Sequence, residues 1–350
     1  MILKVNGREL SHLAVVVSSS GSKTGCARTL DAQIAQSATD PNITNFDLST
    51  GAQVQFSANG YDFFGVLSSI QRSGESNLLS LRAHDMGLYL KRNTTTHKIR
   101  GLSPAAAARA LCGRFGVKTG YLEETGTAFD RNFVSTSLYA AIMTGYTFAS
   151  EQTKGVYQIR YSGSLLTVIQ RGTILAGMVY PKSNLMSAAY DESIERVINR
   201  VDLYDKDHNL TGSVYGDTSI GIMAQALTVT DTRGRDYAEK LIRDNKLQRS
   251  GSVQILGNAR AVTGNAILVY EPYTKLYGKF YIDADTHTWK NGIYTTKLTL
   301  NFENTMDEQE AGSEIERSSG KQKKVDDENK ASLGIGSHYG PTGELIYTYP

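Results

Sequence analysis

Residues 291–302 read NGIYTTKLTLNF, and the second half of this stretch decides the fold class. Leu298, Leu300 and Phe302 alternate with Lys297, Thr299 and Asn301. Side chains on a strand point alternately to its two faces, so this period of two turns one side to a core and the other to water or a partner. Working backwards, the same reading predicts strands over 279–284, 266–270 and 253–256. It recurs near the other end of the chain. Leu3 and Val5 alternate with polar neighbours, and Val54 and Phe56 sit between Gln53, Gln55 and Ser57. Segments 63–70 and 78–84 follow, separated by an expected turn at Arg72–Ser73–Gly74–Glu75. Short strands spaced by turn signals predict a small barrel or sandwich in each region.

Composition agrees with a mainly β protein. The 350 residues include 33 Gly and 20 Tyr but only 6 Pro. Tyr, Thr and β-branched residues suit half-buried pleated surfaces, and Gly suits the turns and bulges between them. Lys and Arg number 37 against 35 Asp and Glu, a net charge of +2. No basic run advertises a nucleic-acid face, so sequence-specific nucleic-acid binding is not expected. No apolar stretch approaches the roughly 18 residues of a membrane span, and no leader is evident, so a soluble product of a cytoplasm is expected. Cys26 and Cys112 stand too far apart in sequence for a metal set and are expected to be idle thiols.

The middle of the chain changes character. Ser103–Pro104 before a run of alanines marks a helix start, with Gly116 placed to end it. A second helix is expected from about Ser135, with Leu138, Ala141, Ile142, Gly145, Tyr146 and Ala149 on one stripe. Alternating Tyr157, Ile159 and Tyr161, then Leu166 and Val168, predict two strands about a Ser162–Gly163–Ser164 turn. Further on, the apolar run from Ile194 to Tyr204 is read as strand, and 236–247 as a helix with Ala238, Leu241 and Ile242 inward. The Ser/Gly-rich stretch Ser18–Cys26 is read as a mobile loop. From Met306 through Lys330 the chain nearly lacks apolar residues and is read as a flexible tail, with an apolar end at Ile346–Tyr349 as a docking peptide. The expected organisation is therefore a first β-barrel domain over 1–100, an α+β insert over 101–182, a second β-barrel domain over 183–305, and a charged tail over 306–350.

Candidate chemistry is sparse. Gly21–Ser22–Lys23–Thr24 fails as a phosphate loop, because the glycine directly before the lysine and the one five residues earlier are both missing. Asp283, Asp285 and His287 would share one face of a strand and bring two carboxylates and an imidazole toward a metal. The competing reading makes them solvated or backbone-bonded residues, since one strand supplies too few ligands. Glu123–Glu124 and Asp205/Asp207 are paired acids in polar turns, suited in principle to glycoside hydrolysis but more simply solvated. His12, His84, His97, His208 and His338 have no motif around them. No catalytic residue, cofactor or metal site is expected.

Three stretches together carry a resemblance: VQILGNARAVTGNAILVYEP (253–272), GKFYIDADTHTW (278–289) and NGIYTTKLTLNF (291–302). Their glycines Gly257, Gly264 and Gly278, then Phe280, Ile282, His287, the Asn291–Gly292 turn and Leu298–Leu300, resemble the XkdQ/YqbQ family of prophage and phage-tail-like particles. Arg114–Gly116 and Ser137–Met143 are similar too, and the resemblance covers roughly residues 1–305. It implies a structural tail (baseplate) hub, related in fold to the late-control protein of Mu- and P2-like phages and to the hub of T-even phages. In such hubs two barrel domains per subunit let a trimer meet a sixfold tube and a threefold spike. The implied partners are further copies of the chain, the tail tube protein, the spike protein, the tape-measure protein and other baseplate proteins, within a virion or tail-like particle.

A ring of this kind closes open strand edges with neighbouring copies. Contacts are expected on strands 53–57, 78–84 and 297–302 and on the 270–281 segment. The residues singled out are Val54, Phe56, Tyr273, Leu276, Tyr277, Leu298 and Leu300, with Ile346 and Tyr347 in the tail; these aromatic and apolar residues are equally at home in a core. Ser103–Tyr121 is faintly similar to a small peptidoglycan-binding module, which keeps open a tail-borne wall hydrolase or wall-binding protein. A nucleic-acid channel component is a third reading, disfavoured by the near-neutral charge.

Overall fold

The computed structural model describes residues 1–37, 46–73, 77–229, 234–315, 337–339 and 345–348. Its first unit is seven strands: β1 (Ile2–Val5), β2 (Arg8–Glu9), β3 (Ala14–Ser22), β4 (Thr29–Ala35), β5 (Gln53–Ala58), β6 (Tyr61–Arg72) and β7 (Leu78–Asp85). Asn59 and Gly60 link β5 to β6 with φ of 52° and 78°, the left-handed pair that a two-residue hairpin requires. Alternate residues of these strands, among them Leu3, Val17, Ile34, Phe56, Leu67 and Leu79, form one buried cluster. The stretch expected to be a mobile loop at Ser18–Cys26 is mostly strand. β3 runs through Ser22 because it has ladder partners on both sides, β4 and a later strand. Small polar residues carry no signal for such two-sided pairing. Gly74 and Glu75 of the expected 72–75 turn lie outside the described residues.

The α+β unit follows: α1 (Gly87–Arg92), β8 (Thr94–Leu102), α2 (Pro104–Gly113), β9 (Thr119–Leu122), β10 (Phe129–Ser137), α3 (Leu138–Thr153), β11 (Tyr157–Ser162) and β12 (Leu165–Gln170). Ser103 caps α2 by accepting from the Ala106 amide at 3.2 Å, with Pro104 at the first helical position. α3 starts at Leu138, not Ser135, because β10 continues to Ser137, whose hydroxyl then caps the helix at the Ala140 amide. The stripe Leu138, Ala141, Ile142, Gly145, Tyr146 and Ala149 is buried as its spacing predicted. It packs on Phe133, Leu111, Val168 and Ile159.

The second β unit comprises β13 (Leu175–Val179), β14 (Leu185–Ser193), then, after an excursion, β18 (Gln248–Leu256), β19 (Ala266–Glu271), β20 (Leu276–Lys290) and β21 (Ile293–Asn301). The excursion holds β15 (Arg200–Tyr204), β16 (Leu210–Tyr215), β17 (Ala224–Thr228) and α4 (Gly234–Asp244). Ser193 of β14 pairs with Gln248 of β18, so the chain leaves and re-enters at one point of a hairpin. Val201, Val214 and Ala238 form the excursion's own small core. The run read as strand from Ile194 becomes strand only at Arg200, after a turn. Two strands close the described chain, β22 (Ser337–Tyr339) paired with β23 (Leu345–Thr348).

Strand is the dominant state, 51% against 15% helix, so the mainly β class holds. Among the described residues no ladder closes either β unit on itself. They are joined instead. β20 pairs with β19 up to Tyr281, is bulged between Ile282 and Ala284, and from Ala284 onward pairs with β3 of the first unit. A bulge bends a strand and raises its twist. Here it carries one strand from one core to the next, and Trp289 near its end is buried in the first unit's cluster. The resulting path runs β14-β18-β21-β20-β3-β4-β7-β6-β5-β1-β2.

Residues 306–315, expected to begin a flexible tail, run back across the α+β unit. Met306 is buried in its core, Tyr139 donates to Asp307 at 2.7 Å, and Ser313 bridges to Asn132. One buried methionine among charged neighbours anchors them, which composition alone conceals. Residues 316–336 lie outside the described residues. If Met306 anchors this return, Met306→Ala will lower the unfolding free energy by about 2–3 kcal/mol in a urea titration. A loss below about 0.5 kcal/mol would show that the packing is incidental.

Candidate functional site

The functional candidates on β20 do not form a metal centre. Among the described residues no three His, Cys, Asp or Glu converge to hold an ion. Each carboxylate has its own cations. Asp285, fully buried, takes Arg28 in a two-armed ion pair, with Arg28 Nη1 donating at 3.0 Å and Nη2 donating to the other oxygen. Thr263 adds its amide at 2.6 Å and its hydroxyl at 2.5 Å. Tyr61, from the first unit, accepts from Arg28 Nε at 3.0 Å and shares a 2.7 Å hydrogen bond with Ser19. His287 Nε2 lies 3.2 Å from Asp285 but is not aligned for a hydrogen bond. Its Nδ1 is 2.8 Å from the Tyr294 hydroxyl.

Asp283 serves a second cluster. Arg171, just beyond β12 and buried, donates to it at 2.6 Å, Lys23 of the first unit at 2.9 Å, and Asn301 of β21 at 2.9 Å. Three units thus meet on two carboxylates. Burial would raise the Asp285 carboxyl, but the charge of Arg28 and the neighbouring His287 overcome it and hold the group well below the ordinary range. Arg28 responds in kind: burial opposes its charge, and Asp285 outweighs that. Asp85, at the end of β7, lacks such a partner. Burial pushes its carboxyl up to about 6, against bonds from the backbone, one of them the Gly87 amide at 2.9 Å.

Sequence reasoning missed Arg28, Tyr61 and Arg171. One signal was available in retrospect: Gly21 lies opposite Asp285 in the β3–β20 ladder, and a Cβ there would fall 2.5 Å from Arg28 Nη1. A side chain there would crowd the guanidinium where it meets Asp285, so the Arg28 side chain would have to shift. The other acid pairs are ordinary. Glu124 pairs with Arg109, Glu123 accepts from Tyr121, and Asp205 caps its own turn through the amides of Asp207 and Asn209.

The expected contact residues divide. Val54, Phe56, Leu276, Leu298 and Leu300 are buried in this chain's own cores, so their strands present only main chain and the alternate side chains outward. Tyr273 is 92% exposed at the β19–β20 turn, and Tyr277 is 51% exposed. Tyr277 meets Tyr270 edge-on at 5.2 Å, across the ladder. Tyr180 and Met178, at the end of adjacent β13, are exposed as well. Ile346 and Tyr347 lie on β23, with Tyr347 opposite His338.

The strand edges of the second unit differ. Three β13 carbonyls are covered by side chains: Leu175 by Arg260 at 3.2 Å, Ala176 by Asn258 at 3.2 Å and Met178 by Asn184 at 2.9 Å. β14 pairs with β18 on one side, and among the described residues nothing bonds to the main chain of its other side. Its nine residues are mostly exposed and carry no basic group or proline to guard the edge.

Residues 17–301 match the sequence profile of the YQBQ-like family. The chain belongs to that family. Phage-like element PBSX protein XkdQ of Bacillus subtilis (strain 168) is 23% identical over 321 residues, which cover 85% of this chain and 95% of XkdQ. The fold of this YqbQ-like chain is that of phage tail proteins. The tail protein from Neisseria meningitidis MC58 superposes with a TM-score of 0.62 at 14% identity, covering 85% of this chain and 95% of that one. The 43 kDa tail protein of prophage MuSo2 from Shewanella oneidensis gives 0.64 at 12% identity, covering 85% and 96%.

Two measurements check the junction. In a double-mutant cycle, Arg28→Met and Asp285→Asn will each destabilise by about 3 kcal/mol or more and show a coupling of about 2 kcal/mol. A coupling under about 0.5 kcal/mol would mean that the pair does not act as a unit. For Asp85 the sign is opposite to that of most carboxylates. Its folded value of about 6 exceeds the reference of 3.8, so its contribution is fully present below pH 3.8 and lost as pH rises through 6. Asp85→Asn is expected to gain up to about 3 kcal/mol relative to the parent between pH 4 and pH 7.5 in urea midpoints. A flat difference across that range would refute the buried acid.

Proposed function

We propose that this chain is a structural hub subunit of a contractile phage tail or tail-like particle, forming a trimeric ring that joins the tail tube to the central spike. Family membership and the tail-protein fold support the tail setting. One observation carries the ring: the long sheet that runs through both β units ends at one side in the nine-residue strand β14, whose outer main chain is unpaired among the described residues, and in β1–β2 at the other. Exposed main chain of that length is a template for another strand. The two ends are also unlike in residues, Asp191 and Glu192 on β14 against Lys4, Arg8 and Glu9 on β1–β2. Unlike ends join head to tail, and such contacts close into rings when the rotation permits.

Two β units per copy then place six similar modules around the axis of a trimer, which matches a sixfold tube on one face and a threefold spike on the other. The Tyr180, Tyr270, Tyr273 and Tyr277 stripe supplies rigid aromatic surface for a tail partner; tyrosine offers large contact area at low entropic cost. In this reading the role is architectural and involves no turnover.

Ala189 is exposed in the middle of β14, so lysine there should leave the fold intact while guarding the edge. Sedimentation of Ala189→Lys should show loss of the ring, and complementation should show loss of assembled tails, with an unchanged circular dichroism spectrum. Wild-type assembly by the variant, or a single off-axis copy in images of labelled particles, would sink the proposal.

A further inference from the structure

The ladders of the second β unit set six outward side chains in two rows across β13, β19 and β20. In one row Met178 lies opposite Leu268, and Leu268 opposite Lys279. In the next Tyr270 lies opposite Tyr277 and meets it edge-on at 5.2 Å, and Tyr180 follows directly on the Val179–Val269 pair. The alternating residues Val179, Val269, Leu276 and Phe280 fill the core, so the six share the opposite face of the sheet. All but the half-buried Leu268 are exposed.

The charges around these rows have one sign. Lys279 lies over the Tyr281 ring at 5.4 Å, Lys275 shares the turn of Tyr273, and Lys182 comes two residues after Tyr180. All three lysines are exposed, and among the described residues none has a carboxylate within 4 Å. Glu271 is the one acid in residues 175–182 and 266–281. Its carboxylate is turned into its own hairpin, where it accepts from the Tyr273 amide at 3.1 Å and the Thr274 amide at 2.6 Å. The neighbouring edge is closed to an added strand, because side chains already occupy the Leu175, Ala176 and Met178 carbonyls. A partner here must use the side-chain face.

We infer that this face docks a neighbouring protein through a surface whose apolar side chains are ringed by aspartate and glutamate. The inference deepens the tail-partner reading of these tyrosines and rests on that reading for its setting. Tyrosine and methionine are enriched at the centres of protein interfaces and lysine is depleted there, so an apolar centre with a lysine rim has that anatomy. Unpaired lysines steer an acidic partner in and repel a basic one. A single nucleic-acid strand asks for a cationic groove along its backbone, whereas here the aliphatic Met178–Leu268 pair holds the centre.

The probe is a fluorescent random copolymer of glutamate and tyrosine, titrated with full-length protein and followed by anisotropy. Saturable binding that weakens with salt is expected, about tenfold tighter than that of poly-glutamate of equal length, which has the charge without the apolar groups. Tyr277→Ser and Lys279→Glu, both at exposed positions, should each weaken it about tenfold with an unchanged circular dichroism spectrum. Should one variant fail to fold, the other decides. The same titration on Ala189→Lys separates this inference from the ring, since loss of the ring leaves copolymer binding in place. Absence of saturable binding, poly-glutamate or oligo-dT binding as tightly as the copolymer, or variants that bind like the parent would overturn the inference.

Discussion

The relative placement of the two β units depends on β20 being one continuous strand that belongs to both. Its first half lies in the core of the second unit and its last residues in that of the first, and Asp285 sits just past the bulge that separates the two. A buried carboxylate is costly to desolvate, and the cost is recovered only if its partners hold their geometry. Arg28, Thr263 and the β3–β20 ladder hold it from both sides. Sliding one unit against the other by a single residue would leave Asp285 facing no cation, and would turn Trp289 out of the first core. The charge therefore specifies a register more than it adds net stability.

The third unit is fixed to the same strand by a different device. Arg171 reaches Asp283 from the end of β12, and the chain beyond β21 returns over α3 to bury Met306. The α+β unit is thus clamped by a charge on one side and an apolar anchor on the other. The excursion 194–247 has neither. Its small core rests on α4, and ion pairs such as Lys246–Glu303 and Lys240–Glu310 that link it to the chain after β21 are exposed, so each contributes little. Few buried contacts mark the parts of a fold that open first, which places the excursion at the labile end.

Periodicity made the strands of both β units legible, because a core on one side and water on the other leaves an alternation in the residues themselves. Helix α2 was legible from Ser103–Pro104, and α3 from its stripe, for the same local reason. What stayed hidden was pairing at long range. β3 looked like a loop because Ser18–Ser22 alternate in nothing, yet two neighbouring strands hold it. The acids of β20 could be read as ligands or as solvated residues, because spacing shows which side chains share a face and not which cation, 257 residues away in the case of Arg28, will meet them. The apolar residues picked as contacts on β5 and β21 went to the core by the same logic that identified the strands. Alternation that names a buried face cannot also assign that face to a partner. Tyr273 differs because it lies in the hairpin turn, and Tyr277 because it alternates with Leu276, which takes the core side of the strand.

Edges are where a β protein shows its intentions toward other molecules, and the second unit treats its two edges unlike each other. On β13 two asparagines and an arginine occupy three carbonyls, so a further strand would have to displace bonds already made. On β14 a newcomer displaces only water. An isolated subunit with two open edges would risk growth in both directions, whereas one guarded edge limits addition to a single direction at this unit. In the proposed ring, closure requires that the acceptor lie at the far end of the same sheet, in a place that rotation about an axis can bring round. The fused β3–β20 seam matters here, because only a rigid join between the units gives each copy the same angle between its two ends. A seam that flexed would let the same edges build an open fibre.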